Sequence, residues 1–177
     1  MAEAHSDTRG ATVHLRAPEQ CDRPALLGWR SDPQAQLDLM LRITHSDAAE
    51  VESWLARRAQ EPDTDFRLIA DARDDHAIGF VQLTHIDPSA QRAWLGLYVD
   101  PAARGTGAAA EALTVMERIA RDEHRLHTIR LEVLAQNERA LRFWRARGYA
   151  ETELVRDHYP RGDRKYDVWF LEKSIEP

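Results

Sequence analysis

A single change of period constrains this chain more than any other feature. Between residues 66 and 99, apolar side chains alternate in three runs, 66–70, 77–83 and 93–99, separated by polar turns at 71–75 and 87–89. A period of two marks strands, and turns this short make consecutive strands antiparallel neighbours. The period then lengthens. Ala109, Ala112, Leu113, Met116, Ile119 and Ala120 recur at i, i+3, i+4 and i+7, which predicts an amphipathic helix over 106–123. A strand at 129–134 and a helix at 137–147, ended by Gly148, follow. An antiparallel meander running into a strand–helix–strand unit gives an α+β fold with a mixed sheet, not a doubly wound parallel one.

The flanks extend this plan. Val13 and Leu15 share one face of a short strand, and Ala25, Leu26 and Trp29 mark a helix over 19–30 that Ser31-Asp32-Pro33 interrupts. A second helix is expected from Ser46 as N-cap, with Val51, Trp54 and Leu55 on its apolar face. Strands at 149–155 and 166–171 close the chain. The expected order is β-α-α-β-β-β-α-β-α-β-β: about seven strands flanked by about four helices, in one domain over 12–177 after a disordered tail at 1–11.

Composition narrows the function classes. Among 177 residues, 24 Lys and Arg against 30 Asp and Glu leave a net charge of −6, which opposes binding to nucleic acid. Apolar runs fall far short of the roughly 20 residues that span a bilayer. The single Cys21 admits no internal disulfide, and the polar opening MAEAHSDTRG is unlike a leader peptide, so a cytoplasmic protein is expected.

The stretch Tyr98-Val99-Asp100-Pro101-Ala102-Ala103-Arg104-Gly105-Thr106-Gly107-Ala108-Ala109 carries the most chemistry. A strand ends, glycines shape a loop, and a helix begins at once. The first turn of a helix leaves N–H groups unpaired at the positive end of its dipole, and glycine lets a ligand approach the backbone. Such a turn suits a phosphate or pyrophosphate, with Arg104 adding charge; the plainer reading is a glycine loop that merely starts a helix. No Gly-x-x-x-x-Gly-Lys-Ser/Thr is present, and the antiparallel strands before the loop do not suit a dinucleotide fold.

The segment Arg104-Gly105-Thr106-Gly107-Ala108-Ala109 resembles the Arg/Gln-x-x-Gly-x-Gly/Ala signature of the GNAT superfamily of acetyltransferases. Asn137-Glu138-Arg139-Ala140, followed by Gly148-Tyr149, is similar to that family's Asn-x-x-Ala … Gly-Phe/Tyr segment. The element order is also the family's, so the resemblance extends over about 12–172. It implies acetyl-CoA as co-substrate and no metal. Arg104, Gly105, Thr106, Gly107, Ala108 and Ala109 would hold the pyrophosphate. Leu97, Tyr98 and Val99 would pair with the pantetheine arm and polarise the thioester carbonyl. Asn137 would contact the same arm or simply cap its helix.

Two positions depart from the family pattern. Where a tyrosine commonly protonates the leaving thiolate, this chain has Trp144, whose indole N–H is a donor but not a usable acid; packing or cofactor contact is its expected role. Tyr98, Tyr159, water or the ammonium product are the alternatives for that proton. Where relatives carry Glu on the fourth strand, this chain reads Ala93-Trp94-Leu95-Gly96, which leaves Glu132, His85 and Asp87 as base candidates, each with a structural reading beside it. At pH 7, deprotonating an amine of pKa about 10.4 costs roughly 4.6 kcal/mol, against about 1–1.4 kcal/mol for an α-amine. With no obvious strong base, a low-pKa small-molecule amine is expected.

The Trp29-Arg30-Ser31-Asp32-Pro33 segment resembles a stretch in the groups that acetylate nucleotide-linked amino sugars and ribosomal-protein N-termini. It implies Trp29 and Arg30 on the acceptor side, with Arg30 toward a nucleotide phosphate or Trp29 simply in the core; His85 is a third residue expected at the substrate. A nucleotide-linked amino sugar is the expected acceptor. A protein N-terminus and a polyamine are the alternatives, and a non-catalytic acyl-CoA-binding domain is the rival of another class. A homodimer stays open. His124 and His127 lack a third metal ligand, and His85, Asp87 and Ser89 crowd one turn without a nucleophile elbow. Arg139, Arg142, Arg145 and Arg147 read as a solvated face or as partners for the 3′-phosphate of CoA.

Overall fold

The computed structural model describes residues 12–43 and 46–176; the tail expected at 1–11 lies outside them. The chain forms β1 (Val13–Arg16), α1 (Arg23–Ser31), α2 (Pro33–Asp38), α3 (Ala48–Arg58), β2 (Asp65–Asp71), β3 (Ala77–Asp87), β4 (Arg92–Val99), α4 (Ala108–Asp122), β5 (Thr128–Leu134), α5 (Glu138–Ala146), β6 (Ala150–Arg161) and β7 (Arg164–Ser174). Single 3-10 turns precede α1 and α4. One seven-stranded sheet runs β1-β2-β3-β4-β5-β7-β6, antiparallel everywhere except the β4–β5 pair. The mixed α+β sheet expected from the sequence is the one observed.

Alternation along the strands builds a core on each face. Ile69, Val81, Leu83, Leu95, Ile129 and Leu131 point to α4 and α5. On α4, Ala112, Leu113, Met116, Ile119 and Ala120 answer them, and all are buried. Burying one Leu- or Met-sized side chain contributes about 1.5–3 kcal/mol, so this stripe fixes the helix against the sheet. The opposite residues of the same strands, Leu68, Phe80 and Tyr98, pack under Leu26 and Trp29 of α1 and Val51 of α3. A smaller cluster of Leu134, Tyr159 and Val168 is covered by Leu37 and Met40, at and just beyond the end of α2. None of the described helices is long and apolar enough to cross a membrane.

Three local expectations need correcting. Asp47, not Ser46, caps α3: its carboxylate accepts the Glu50 N–H at 2.8 Å. Ser31-Asp32-Pro33 does not simply interrupt a helix but starts a fifth one, because Asp32 caps the Ala35 N–H at 2.6 Å and Pro33 occupies the first helical position. β6 also runs six residues past the expected end at 155, to Arg161, through a bulge between Val155 and Tyr159.

Candidate active site

The site begins where two strands part. β4 and β5 pair only through Arg92, Ala93 and Trp94 with Thr128, Ile129 and Arg130. Beyond that point each strand stays with its antiparallel neighbour. β4 follows β3 as far as Gly79 opposite Val99, while β5 follows β7 as far as Leu134 opposite Val168. The sheet therefore splits, and the main-chain groups of Leu95 to Val99 that face β5 lack a strand partner. A cleft of about 640 Å³ opens in the split. Its walls include Leu97, Tyr98, Val99 and Glu132 on the strands, Gly105 and Gly107 on the loop, and Asn137 and Trp144 on α5.

The loop after β4 is held from below. Asp100 caps it through the Ala102 N–H at 2.9 Å, and its second oxygen accepts the Trp29 indole N–H at 2.8 Å. Arg104 Nε donates to the Val99 carbonyl at 3.0 Å, so this side chain braces the strand end. Gly105 and Gly107 have φ of +80° and +93°, in the region where L side chains are strained, and a Cβ on either would meet nothing within 4 Å. Gly107 caps α4, and its carbonyl accepts the Ala110 and Glu111 N–H groups. The N–H groups of Gly105, Thr106, Gly107 and Ala109 donate to no acceptor among the described residues. Four unpaired donors at the positive end of a 15-residue helix, beside open space, form an anion cradle.

Across the split, Asn137 Oδ1 caps α5 through the Ala140 N–H at 3.1 Å while its Nδ2 donates to Asp38 at 3.3 Å. Trp144 is buried edge-on between Phe143 and Tyr149, with both ring centroids at 5.0 Å. Arg139 and Arg147 reach the cleft wall, whereas Arg145 turns away to pair with Glu151.

Asp38 and Met40 line the cleft from the α2 side, and toward the paired ends of β4 and β5 it is lined by His85 and Gln82 from β3, Trp94 from β4 and Glu132 from β5. Glu132 accepts no hydrogen bond among the described residues, and burial lifts its pKa above the ordinary carboxylate value against the pull of His158 and Arg42. Gln82 lies across Gly96, and its buried Oε1 accepts no hydrogen bond among the described residues.

A model of the acetyltransferase (GNAT) domain matches residues 12–150, well over half of the chain. The chain belongs to the GNAT acetyltransferase family. It is an acyl-CoA-dependent N-acetyltransferase. It is 28% identical over 155 residues to the probable N-acetyltransferase YjcK of Bacillus subtilis (strain 168), covering 84% of this chain and 86% of that one. Among solved structures it resembles spermidine N-acetyltransferase from Vibrio cholerae in complex with CoA and spermine. There the TM-score is 0.85 at 19% identity, covering 93% of this chain and 96% of the other. A dodecameric form of that enzyme superposes with a TM-score of 0.78. At such identities the likeness is one of fold.

Seen as a GNAT site, the split gathers most residues named from the sequence. Leu97, Tyr98, Val99, Arg104, Gly105, Gly107, Ala109, Asn137, Trp144, Glu132 and His85 all line it, and Thr106 and Ala108 belong to the same loop. Trp29 and Arg30 do not. Trp29 is 6% exposed against Phe80 and Tyr98, and Arg30, 8% exposed, pairs with Glu50 at 2.7 Å with its guanidinium 4.3 Å from the Trp54 ring centre. Their place is the α1–α3 layer, where Trp29 props the loop through Asp100.

The acid and base candidates separate as well. Tyr98 turns its main chain to β3, where its carbonyl lies against Gly79, and its ring stacks on Phe80 at 5.7 Å; burial followed by Asp100 raises its pKa. The Tyr159 hydroxyl donates to the Leu41 carbonyl at 3.0 Å and is buried. Asp87 spends its carboxylate on the Ser89 and Ala90 turn. His124 and His127 bind Asp65 and Glu176 respectively, and no metal-binding group of three ligands occurs among the described residues. His158 and Asp38 are the neighbours of the cleft that the sequence reading missed.

Proposed function

We propose that this chain transfers the acetyl group of acetyl-CoA to a primary amine of a small cationic molecule of the polyamine class. The amide cradle at 104–109 fits a pyrophosphate, and the β4 edge around Leu97, which has no strand partner in β5, fits an amide-bearing arm running toward the closed end of the split. There a neutral amine attacks the thioester carbonyl: the C–N bond forms, the C–S bond breaks, and the thiolate leaves. Trp144 sits beside that path as wall and hydrogen-bond donor, not as an acid.

One observation carries the choice of amine. The acceptor end holds a half-buried carboxylate, Glu132, that accepts no hydrogen bond among the described residues. An ammonium supplies the hydrogen-bond donors that such a carboxylate lacks. The nucleotide-linked amino sugar expected from sequence relied on Arg30 for its phosphate, and that guanidinium is buried against Glu50 and Trp54. The likeness to a spermidine N-acetyltransferase favours the polyamine alternative over the amino sugar.

The test is thiol release from acetyl-CoA with spermidine, spermine, a nucleotide-linked 4-amino sugar and a short peptide with a free N-terminus. Saturable release with the polyamines, and little with the others, is the expected result. Release confined to the amino sugar or the peptide would replace the polyamine reading.

A further inference from the structure

A cationic amine of pKa about 10.4 reaches the thioester only after losing a proton, at a cost of roughly 4.6 kcal/mol at pH 7. The cleft needs somewhere for that proton to go. Glu132 is the second residue beyond the last β4–β5 pair, so its side chain stands where the strands open. The nearest ionisable nitrogen across from it is His158 Nε2, 4.0 Å from Glu132 Oε1.

That neighbour is put there by an irregularity in β6. Val155 pairs with Val168 and Tyr159 with Tyr166, so three residues of β6 oppose a single residue of β7. Asp157 takes φ of +53°, and its N–H is held by the Asp167 carboxylate at 2.9 Å. A bulge of this kind re-aims a side chain. Here the His158 ring lies edge-on to Phe170 at 5.3 Å, and Phe170 in turn meets Trp94 at 5.8 Å. The side chain of His158 stays 41% exposed, against 32% for Glu132, so the pair runs from the cleft wall outward to water.

We propose that Glu132 and His158 form a proton exit for the acceptor amine: Glu132 is the catalytic base facing the bound ammonium, and His158 is the positioning residue that takes the proton onward to solvent. The proposal rests on the N-acetyltransferase reading above. In the step, the ammonium gives one proton to the Glu132 carboxylate, becoming the neutral nucleophile. A small side-chain rotation or one water closes the 4.0 Å gap, and the proton passes to the unprotonated imidazole and then to bulk water. After attack, the second proton carried by the nitrogen goes to the departing thiolate. The sum is ammonium plus thioester giving amide, thiol and one released proton.

Burial keeps Glu132 from being too weak a base, and imidazole is the side chain whose charge changes near neutral pH. The other charged groups around the pair are Arg42 from the segment after α2, Asp38 from α2, His85 from β3, and Asp157 and Asp167 beside the bulge. The first of these holds Glu132 toward its ionised form.

The experiment measures kcat for spermidine acetylation against pH in the wild type, Glu132→Gln, His158→Gln and His158→Ala, with CoA binding followed separately by calorimetry. For Glu132→Gln the expected fall is about 10²–10⁴-fold with CoA affinity retained. In the wild type the acid limb reflects two protons, one on each member. In His158→Gln, kcat falls at least about tenfold, and the limb becomes shallower and moves to lower pH. Added imidazole restores His158→Ala and not Glu132→Gln. An acid limb in His158→Gln that keeps its wild-type slope and position, or an absence of imidazole rescue, would overturn the role of His158. A wild type that binds CoA but releases no thiol with any amine would instead overturn the enzyme reading itself.

Discussion

Gly79→Ala is the smallest change that should reach the cleft from outside it. Gly79 lies on β3 opposite Val99, and a Cβ there would stand 2.2 Å from the Tyr98 carbonyl oxygen and 3.0 Å from the Val99 Cα. Both are main-chain atoms of β4, so no side-chain rotation relieves the clash. Tyr98 O must retreat by roughly 1 Å to regain ordinary packing distance. Overpacking of this kind costs about 1–3 kcal/mol, and the rigid neighbour puts this site at the upper end. For a chain of this length each kcal/mol moves the melting temperature by about 2–4 °C, so a fall of roughly 5–12 °C is expected. Because the displaced segment is the free edge of the split, the KM for acetyl-CoA should rise as well. Gly28→Ala is the matched control. Gly28 is exposed within α1 with nothing within 4 Å of an added Cβ, and there the same substitution stabilises by about 0.5–1 kcal/mol. Differential scanning calorimetry reads both. A Gly79→Ala protein melting at or above the wild type would refute the close approach of β3 to β4.

Other outcomes follow from the same geometry. Trp144→Phe should keep kcat within a few-fold, because the indole serves as wall rather than acid, whereas Trp144→Ala should cost about 3–5 kcal/mol in a urea melt; a collapse of kcat in the Phe variant at unchanged stability would contradict this. Asp22 is buried under the Arg16 guanidinium at 2.7 Å, which holds its carboxyl below the ordinary carboxylate value. Its contribution is therefore present above about pH 4 and lost as the pH falls below it, and Asp22→Asn should lose less stability between pH 6 and pH 3 than the wild type does.

What the sequence shows plainly is what short-range physics dictates. The shift from period two to period 3.6 across residues 98–109 places a strand, a loop and a helix without reference to the rest of the chain. Gly105 and Gly107 announce the positive φ values that the loop adopts. The orientation of α1 is another matter. Trp29 has equal credentials for the core and for a ligand, and only the stacking of Phe80 and Tyr98 beneath it decides. Likewise Asp32-Pro33 is both a stop and a start, and the start prevails because Leu37 and Met40 find an apolar landing on β5, β6 and β7. His158 left no trace in the pattern. The charged run 156–158 and Pro160 suggest that β6 has ended, while pairing with β7 carries it to Arg161 around a bulge.

The central claim is that the unpaired amides of Gly105, Thr106, Gly107 and Ala109 grip the diphosphate of the co-substrate. Titration calorimetry of coenzyme A into the wild type and into Gly107→Val tests it most directly. Losing one or more amide bonds to a charged phosphate, at about 1.5–3 kcal/mol each, predicts saturable binding to the wild type and at least tenfold weaker binding to the variant. Equal affinities for the two proteins, or no heat with the wild type, would contradict the account.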